Sequence, residues 1–197
     1  MDKIQQDFFL DADVVKTARE LLGKVLVTNL DGLGVTKGRI TETEAYAGIT
    51  DKASHAYGGR RTKRTETMYL NGGVAYVYLC YGMHHLFNIV VGPENIPNAV
   101  LIRGIEPLQG IEAMSTRTGK QVLSNAVISG PGKVSKALGI TTKLDKTPLL
   151  DDLIWLENGP VYPNENIVTS KRIGIDYAAE DALLPYKFLL QKDGVRN

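Results

Sequence analysis

The sequence predicts an α+β fold: a single domain over residues 1–197, built on a mixed, mostly antiparallel, curved β-sheet with helices packed around it. Three observations carry this expectation. Segments rich in β-branched and aromatic residues follow one another across turn residues, as hairpins do. Helical periodicity is confined to short separate stretches, which does not match the strand-helix-strand alternation of a parallel sheet. No internal repeat, low-complexity tract or Ser/Pro-rich linker divides the chain.

Asp13 to Gly23 carries Val14, Ala18, Leu21 and Leu22 at helical spacing, with an aspartate near its start and a glycine to close it. Lys24 to Leu30 then reads as a strand, Asp31-Gly32 as a two-residue hairpin turn, and Leu33 to Tyr46 as the returning strand. After Asn71-Gly72-Gly73 comes the strongest strand pattern, Val74 to Tyr81. Ile89 to Val91 and Ala99 to Arg103 are shorter strands flanking a Pro/Asn loop. Pro107 suits a first helical turn, so a helix is expected through Leu108, Ile111 and Met114. Gly130-Pro131-Gly132 opens a further helix, Lys133 to Leu138, which Gly139 can close.

The chain has 197 residues, 43% hydrophobic and 23% charged, enough apolar material for a sizeable core and outside the disordered range. Apolar runs fall short of the roughly 18 residues a spanning helix needs, and the opening residues lack a signal pattern, so a cytoplasmic protein with no membrane partner is expected. One cysteine, Cys80, excludes an intramolecular disulfide and a cysteine-clustered zinc site; inside an apolar run it is expected as a small buried hydrophobe. The net charge of +1 hides segregation. Lys52 to Arg64 holds five basic residues (Lys52, Arg60, Arg61, Lys63, Arg64) and no acid, and Ala113 to Leu144 holds another five (Arg117, Lys120, Lys133, Lys136, Lys143), again without acid. Asp145, Asp151, Asp152, Glu157 and Glu165 follow. Such a chain can present a positive face to nucleic acid, or simply ordinary solvated faces.

On the strand ending at Tyr46, period two places Ile40, Glu42, Glu44 and Tyr46 on one face and Thr41, Thr43 and Ala45 on the other. Two carboxylates about 6.5 to 7 Å apart on one strand face can divide the work of a water-activating base and its structural support. The plainer alternative is the exposed polar face of an edge hairpin. His55 lies in a loop beside them, next to Gly58-Gly59-Arg60, as a contact for a base or phosphate or as a structural histidine. Adjacent His84 and His85 diverge on any regular element and have no carboxylate or cysteine spaced to complete a metal site. Gly132-Lys133 lacks the Walker A pattern, but the helix it opens could hold one backbone phosphate. Four of the nine tyrosines, Tyr46, Tyr76, Tyr78 and Tyr81, fall in the two best strands, as a stacking pocket for a base or as a tyrosine core.

Taken in order, Arg39-Ile40-Thr41-Glu42-Thr43-Glu44-Ala45-Tyr46, Ser54-His55, Gly58-Gly59-Arg60, Tyr76-Val77-Tyr78, Tyr81-Gly82-Met83, Asn88-Ile89, Leu101-Ile102-Arg103, Glu106-Pro107-Leu108 and Gly130-Pro131-Gly132-Lys133 resemble the alkyladenine (3-methyladenine) DNA glycosylase family over nearly the whole chain. The resemblance implies a monofunctional hydrolase of base excision repair. It would act as a monomer on double-stranded DNA containing alkylated or deaminated purines such as 3-methyladenine, hypoxanthine and ethenoadenine, without metal or organic cofactor. Glu44 would be the water-activating base, with Arg103 beside it and Glu42 in support. Tyr46, His55 and Tyr78 would enclose the extruded base, Asn88 would form the pocket wall that disfavours the guanine amino group, and Tyr81 would insert into the gap left in the duplex. Arg60, from the loop beside His55, and Lys133, at the helix N-terminus, are the expected contacts to the DNA backbone on their own placement in the sequence. No lysine matches the active-site motif, so strand cleavage through a Schiff base is not expected. A non-catalytic nucleic-acid-binding module and a hydrolase of free nucleosides remain the alternatives from other classes.

Overall fold

The computed structural model describes residues 2–124 and 126–191. Within them the expected α+β architecture stands: nine strands in one sheet, all paired antiparallel, with a few short helices against it. Two long strands are its spine. β2 (Val35–Tyr46) and β5 (Asn98–Gln109) lie side by side, β1 (Val25–Asn29) and β7 (Ile154–Glu157) continue the sheet beyond β2, and β4 (His84–Val91) and β3 (Val74–Cys80) continue it beyond β5. Each spine strand serves two partners along one edge. β2 pairs with β1 through Val35 to Arg39 and with β9 (Lys187–Leu190) through Glu42 to Glu44, while β5 pairs with β4 through Asn98 to Leu101 and with β6 (Ile128–Ser129) at Gly104 and Ile105. β8 (Ile167–Ser170) closes on β9.

The handover between partners is made by irregularities. Opposite residues run Ile40 to Ile105, then Glu42 to Gly104, then Thr43 to Ile102, so Thr41 on β2 and Arg103 on β5 are extra residues. A bulged strand bends and swings its next side chain to the other face. That corrects the strict alternation expected of this strand: Ile40 joins the core with Ala45 instead of sharing a face with the glutamates.

One face of the sheet packs Ala45, Ala75, Val77, Phe87, Ile89, Val100, Ile102 and Ile105 against the helices α2 (Val14–Glu20), α3 (Ile111–Thr118) and α4 (Pro131–Leu138). A short α1 (Gln6–Phe9) was not legible in the periodicity; it contributes Phe9 to that core. Asp13 caps α2 by accepting the Lys16 N–H at 2.9 Å. The neighbouring residues of the same strands, Tyr76, Tyr78, Leu86, Asn88, Ala99, Leu101 and Arg103, line a cavity on the opposite face. Period two thus gives each inner strand one core row and one cavity row.

Four expectations are corrected. The β1–β2 connection spans residues 30–34 rather than two, since Asn29 opposes Val35, although Asp31 and Gly32 do take the positive φ of 55° and 71° that their types permit. Pro107 lies within β5, opposite Gly38, and the helix starts only at Ile111. Proline is compatible with strands at bulges and edges, and here the register slips between Lys37 and Gly38 while β6 covers the other edge only at Gly104 and Ile105. Gly110, at φ 73°, makes the turn into α3; a Cβ there would come within 2.6 Å of Thr36. β4 and β5 extend beyond the expected segments, so His84 and His85 are strand residues. Cys80 is only half-buried, at the end of β3 beside the cavity, rather than a core residue.

Candidate active site

The cavity has a volume of about 410 Å³ and opens beside the β3–β4 hairpin. Tyr46 from β2, Tyr76 and Tyr78 from β3, Asn88 from β4 and Arg103 from β5 form its sheet side. His55 and Arg64 reach it from the loop after β2, and Ile173, Gly174, Ile175 and Tyr177 close it from the C-terminal segment. All the expected pocket residues therefore meet at one place, along with Arg103.

Glu44 lies beneath that wall. It does not line the cavity and is 0% exposed, yet three of its neighbours do line it. Tyr46 Oη donates to its Oε2 at 2.9 Å, the Ile173 N–H donates to its Oε1 at 2.9 Å, and Arg103 Nε is 3.4 Å from the same oxygen. Burial pushes the Glu44 carboxyl above the usual carboxylate range, and Arg103, the Ile173 N–H and the Tyr46 hydroxyl pull it back toward ionisation. Tyr46 is pushed well above the usual phenol value by its own burial and then by the Glu44 charge, so it remains a donor. Glu42 shares the same nitrogen: Arg103 Nε donates to its Oε1 at 3.3 Å, and Glu42 is also met by Ser129 Oγ at 3.4 Å and Lys187 Nζ at 3.7 Å. The bulge at Arg103 aims one guanidinium between two carboxylates. Both are buried in the middle of the sheet, which removes the reading as an exposed edge.

His55 Nδ1 is 2.8 Å from Tyr76 Oη, and its ring meets the Tyr78 ring edge-on at 4.7 Å. Burial, then Arg64 and Arg60, lowers its pKa to about 4, so the ring is neutral at physiological pH. Arg64 Nη2 stands 3.4 Å from Nε2 and can only donate, which assigns the ring proton to Nδ1 and leaves Nε2 an acceptor. Arg64 also lies 5.0 Å from the Tyr78 ring centroid. Burial pushes Tyr76 up to about 12 and Tyr78 up as well, so both hydroxyls stay protonated. Asn88 is buried and fixed by its amide N–H to Tyr76 O at 3.1 Å.

Tyr81 follows β3 at the tip of the hairpin, with φ 51°, and is 89% exposed beside an exposed Met83. A bulky side chain in left-handed backbone, pushed into solvent, is unusual for a tyrosine. Arg60 is exposed in the loop that carries His55, and Lys133 is exposed in the first turn of α4, whose Pro131 borders the cavity. His84 packs toward Gly132, and His85 Nδ1 accepts the Thr142 N–H at 3.2 Å; the two diverge as expected.

Sequence reasoning missed Arg64, Tyr177 and the segment at Ile173, and it missed Arg172 and Asp51 behind them. Arg64 was legible only as one of a basic run, and Tyr76 only as one of four strand tyrosines. Arg172 and Ile173 belong to no motif, because the segment meets the site from more than a hundred residues away.

Comparison with known proteins places the chain. The family model described as methylpurine-DNA glycosylase matches residues 8–194. A protein of Chlamydia pneumoniae named "Putative 3-methyladenine DNA glycosylase" is 46% identical over 191 residues, covering 96% of each chain. Proteins with the same name from Clostridium perfringens (strain 13 / Type A) and Bacillus mycoides (strain KBAB4) are 44% identical over 198 residues, at 96% of each chain, and 43% identical over 193, at 93% of this chain and 94% of the other. With a match over almost its full length, the chain belongs to the methylpurine-DNA glycosylase family, enzymes that hydrolyse N-glycosidic bonds.

Proposed function

We propose that this protein removes alkylated or deaminated purines from double-stranded DNA in base excision repair, by hydrolysis that leaves an abasic site. The observation that supports it most is the arrangement of Glu44: a carboxylate out of contact with solvent, held by two hydrogen-bond donors and the charge of Arg103, behind a pocket walled by tyrosines and a neutral histidine. Each carboxylate oxygen keeps a lone pair after these contacts. In this reading a water entering between Tyr46, Arg103 and Ile173 gives its proton to Glu44 as it attacks the anomeric carbon, and Arg103 orients the carboxylate.

An alkylated purine already carries positive charge and leaves readily, so one base suffices for the chemistry. Neutral lesions need a proton from elsewhere, and His55, with a pKa near 4, is not charged to supply it at neutral pH. Its Nε2 serves instead to accept a hydrogen bond from the base edge, in exchange for the long one from Arg64. The base has to leave the duplex to reach this depth, which gives Tyr46 and Tyr78 their role as stacking faces and the exposed Tyr81 its role as the wedge. Asn88, fixed on Tyr76 O, forms the wall that resists a guanine amino group.

The test is single-turnover release of bases from duplexes carrying one lesion each, read by alkaline cleavage. Glu44→Gln should bind lesion DNA as the wild type does and excise at least about a hundredfold more slowly, the scale of a lost general base. Excision at a near-normal rate would sink the assignment. Glu42→Gln should instead act mainly on stability.

A further inference from the structure

Arg172 is among the most buried cations of the described residues: its side chain is 0% exposed, and that of its partner Asp51 is 1% exposed. Nη1 and Nη2 meet Asp51 Oδ2 and Oδ1 respectively, in a forked pair. The same nitrogens donate to Ala45 O at 2.9 Å and to Asp181 O at 3.1 Å. Asp51 is in turn held by the Ala47 N–H at 3.0 Å and the Ala53 N–H at 2.9 Å. The pair therefore fastens the end of β2, the loop behind it and the C-terminal segment to one another.

Two threads lead from it to Glu44. Ile173, the next residue after Arg172, gives Glu44 Oε1 its backbone N–H at 2.9 Å. The Arg172 guanidinium carbon lies 4.9 Å from the centroid of the Tyr46 ring, whose hydroxyl holds Oε2, and 5.3 Å from that of the Tyr186 ring. A buried ion pair is poor value as a stabiliser, because desolvation of both charges offsets much of their attraction. Its use is better sought in what it holds in place.

We propose that the Asp51–Arg172 pair is a positioning device for Glu44: it locks the Ile173 N–H and the Tyr46 ring, and through them the orientation and ionisation of the carboxylate. The inference rests on the reading of Glu44 as the water-activating base. Glu44 is faced by Glu42 and Tyr46 on β2, by Arg103 on β5 and by the charge of Arg172 on the C-terminal segment; Lys187 on β9 directs its ammonium to Glu42 instead. Arg103 and Arg172 favour the ionised form and Glu42 opposes it. Loosening the clasp releases the Ile173 N–H, and burial then raises the carboxyl further.

Single-turnover excision measured across pH tests this. Arg172→Lys keeps the charge but cannot fork onto Asp51 while reaching Ala45 and Asp181. Its acid limb should move upward by about one pH unit, giving roughly a tenfold loss below the limb and a rate near wild type on the alkaline plateau, with affinity for lesion duplex unchanged. The double variant Asp51→Leu/Arg172→Met, which replaces the pair with apolar groups, should show the same displaced limb and keeps the test open if the lysine variant does not fold. An acid limb coincident with wild type, a loss equal at every pH, or failure of both variants to fold would overturn the proposal. Glu44→Gln separates the two readings. If it is inactive while the limb is unmoved in the Arg172 variants, only the positioning role falls; if it remains active, the base assignment falls with it.

Discussion

His55 shows what one residue's surroundings do to its chemistry and to the stability of the pocket. Its pKa falls from the ordinary 6.5 to about 4 because burial and two arginines disfavour the imidazolium. Between those values the unfolded chain binds a proton that the folded chain refuses, so stability rises with pH across that window and is lost as the pH falls from 6.5 toward 4. The shift bounds the effect at on the order of 3 kcal/mol, less what solvent screens at a ring that is not fully enclosed. His55→Gln should flatten that part of the stability curve, with chemical denaturation at closely spaced pH values as the measurement; equal slopes for variant and wild type would refute the neutral ring. At this scale the sequence was informative where side-chain type was decisive. Glu44, Tyr46, His55, Tyr78 and Asn88 were nameable because each stands in a short local motif. Arg172 and Asp51 were not, since a forked buried pair between distant segments leaves no local trace in composition or spacing.

The β3–β4 hairpin is the element whose shape carries most of the proposed function. Cys80 pairs with His84, leaving Tyr81, Gly82 and Met83 as a three-residue tip with positive φ at the first two. The seven register pairs below it make a stiff stalk, so Tyr81 is presented rather than merely exposed. If it fills the gap left by an extruded base, it acts on the extrusion equilibrium and not on bond cleavage. Tyr81→Ser should then weaken lesion binding and slow excision most where the lesion pairs well. Tyr78→Ser should lose a stacking face worth about 1 to 3 kcal/mol for paired and unpaired lesions alike. Single-turnover excision of hypoxanthine opposite T, opposite C and in a single-base bulge distinguishes them, and an equal loss in all three contexts for Tyr81→Ser would return that residue to the pocket. Of this element β3, preceded by Asn71-Gly72-Gly73 and rich in aromatics, was legible in the chain, while β4 was legible only from Ile89 to Val91. The bulges at Thr41 and Arg103 and the strand course of Pro107 were not, because each is set by where a partner strand ends, which is information held elsewhere in the sequence.

Across the whole molecule, charge is sorted by the order of strands. β7 forms one edge of the main sheet and β3 the other. Near β7 three acids are paired within the chain: Glu157 with Lys37, Asp152 with Lys3, and Asp31, at the β1–β2 connection, with Arg117. Two members of the basic runs are committed likewise, Arg117 to Asp31 and Lys52 to Glu180, so the runs overstate the free charge. Arg60, Lys63 and Arg64 are exposed in the loop that carries His55, Lys133 starts the helix whose Pro131 borders the cavity, and Lys143 follows the residue bonded to His85 below the hairpin tip. Of these five exposed cations Arg64 lines the cavity itself and the other four lie on segments that adjoin its lining, in a protein whose net charge is only +1. If each neutralises one phosphate, the logarithm of the binding constant for duplex DNA should fall with the logarithm of salt concentration at a slope of about −4 to −5. Changing Lys133 or Lys143 to glutamine should reduce that slope by about one each and weaken binding to all sequences equally, because a phosphate contact positions the duplex without reading it. Arg117→Gln should leave the slope where it was and lower the melting temperature, since its guanidinium ties the β1–β2 connection to α4 through Asp31 and Ala137 O. A slope near zero for the wild type would mean that this face does not meet the phosphate backbone.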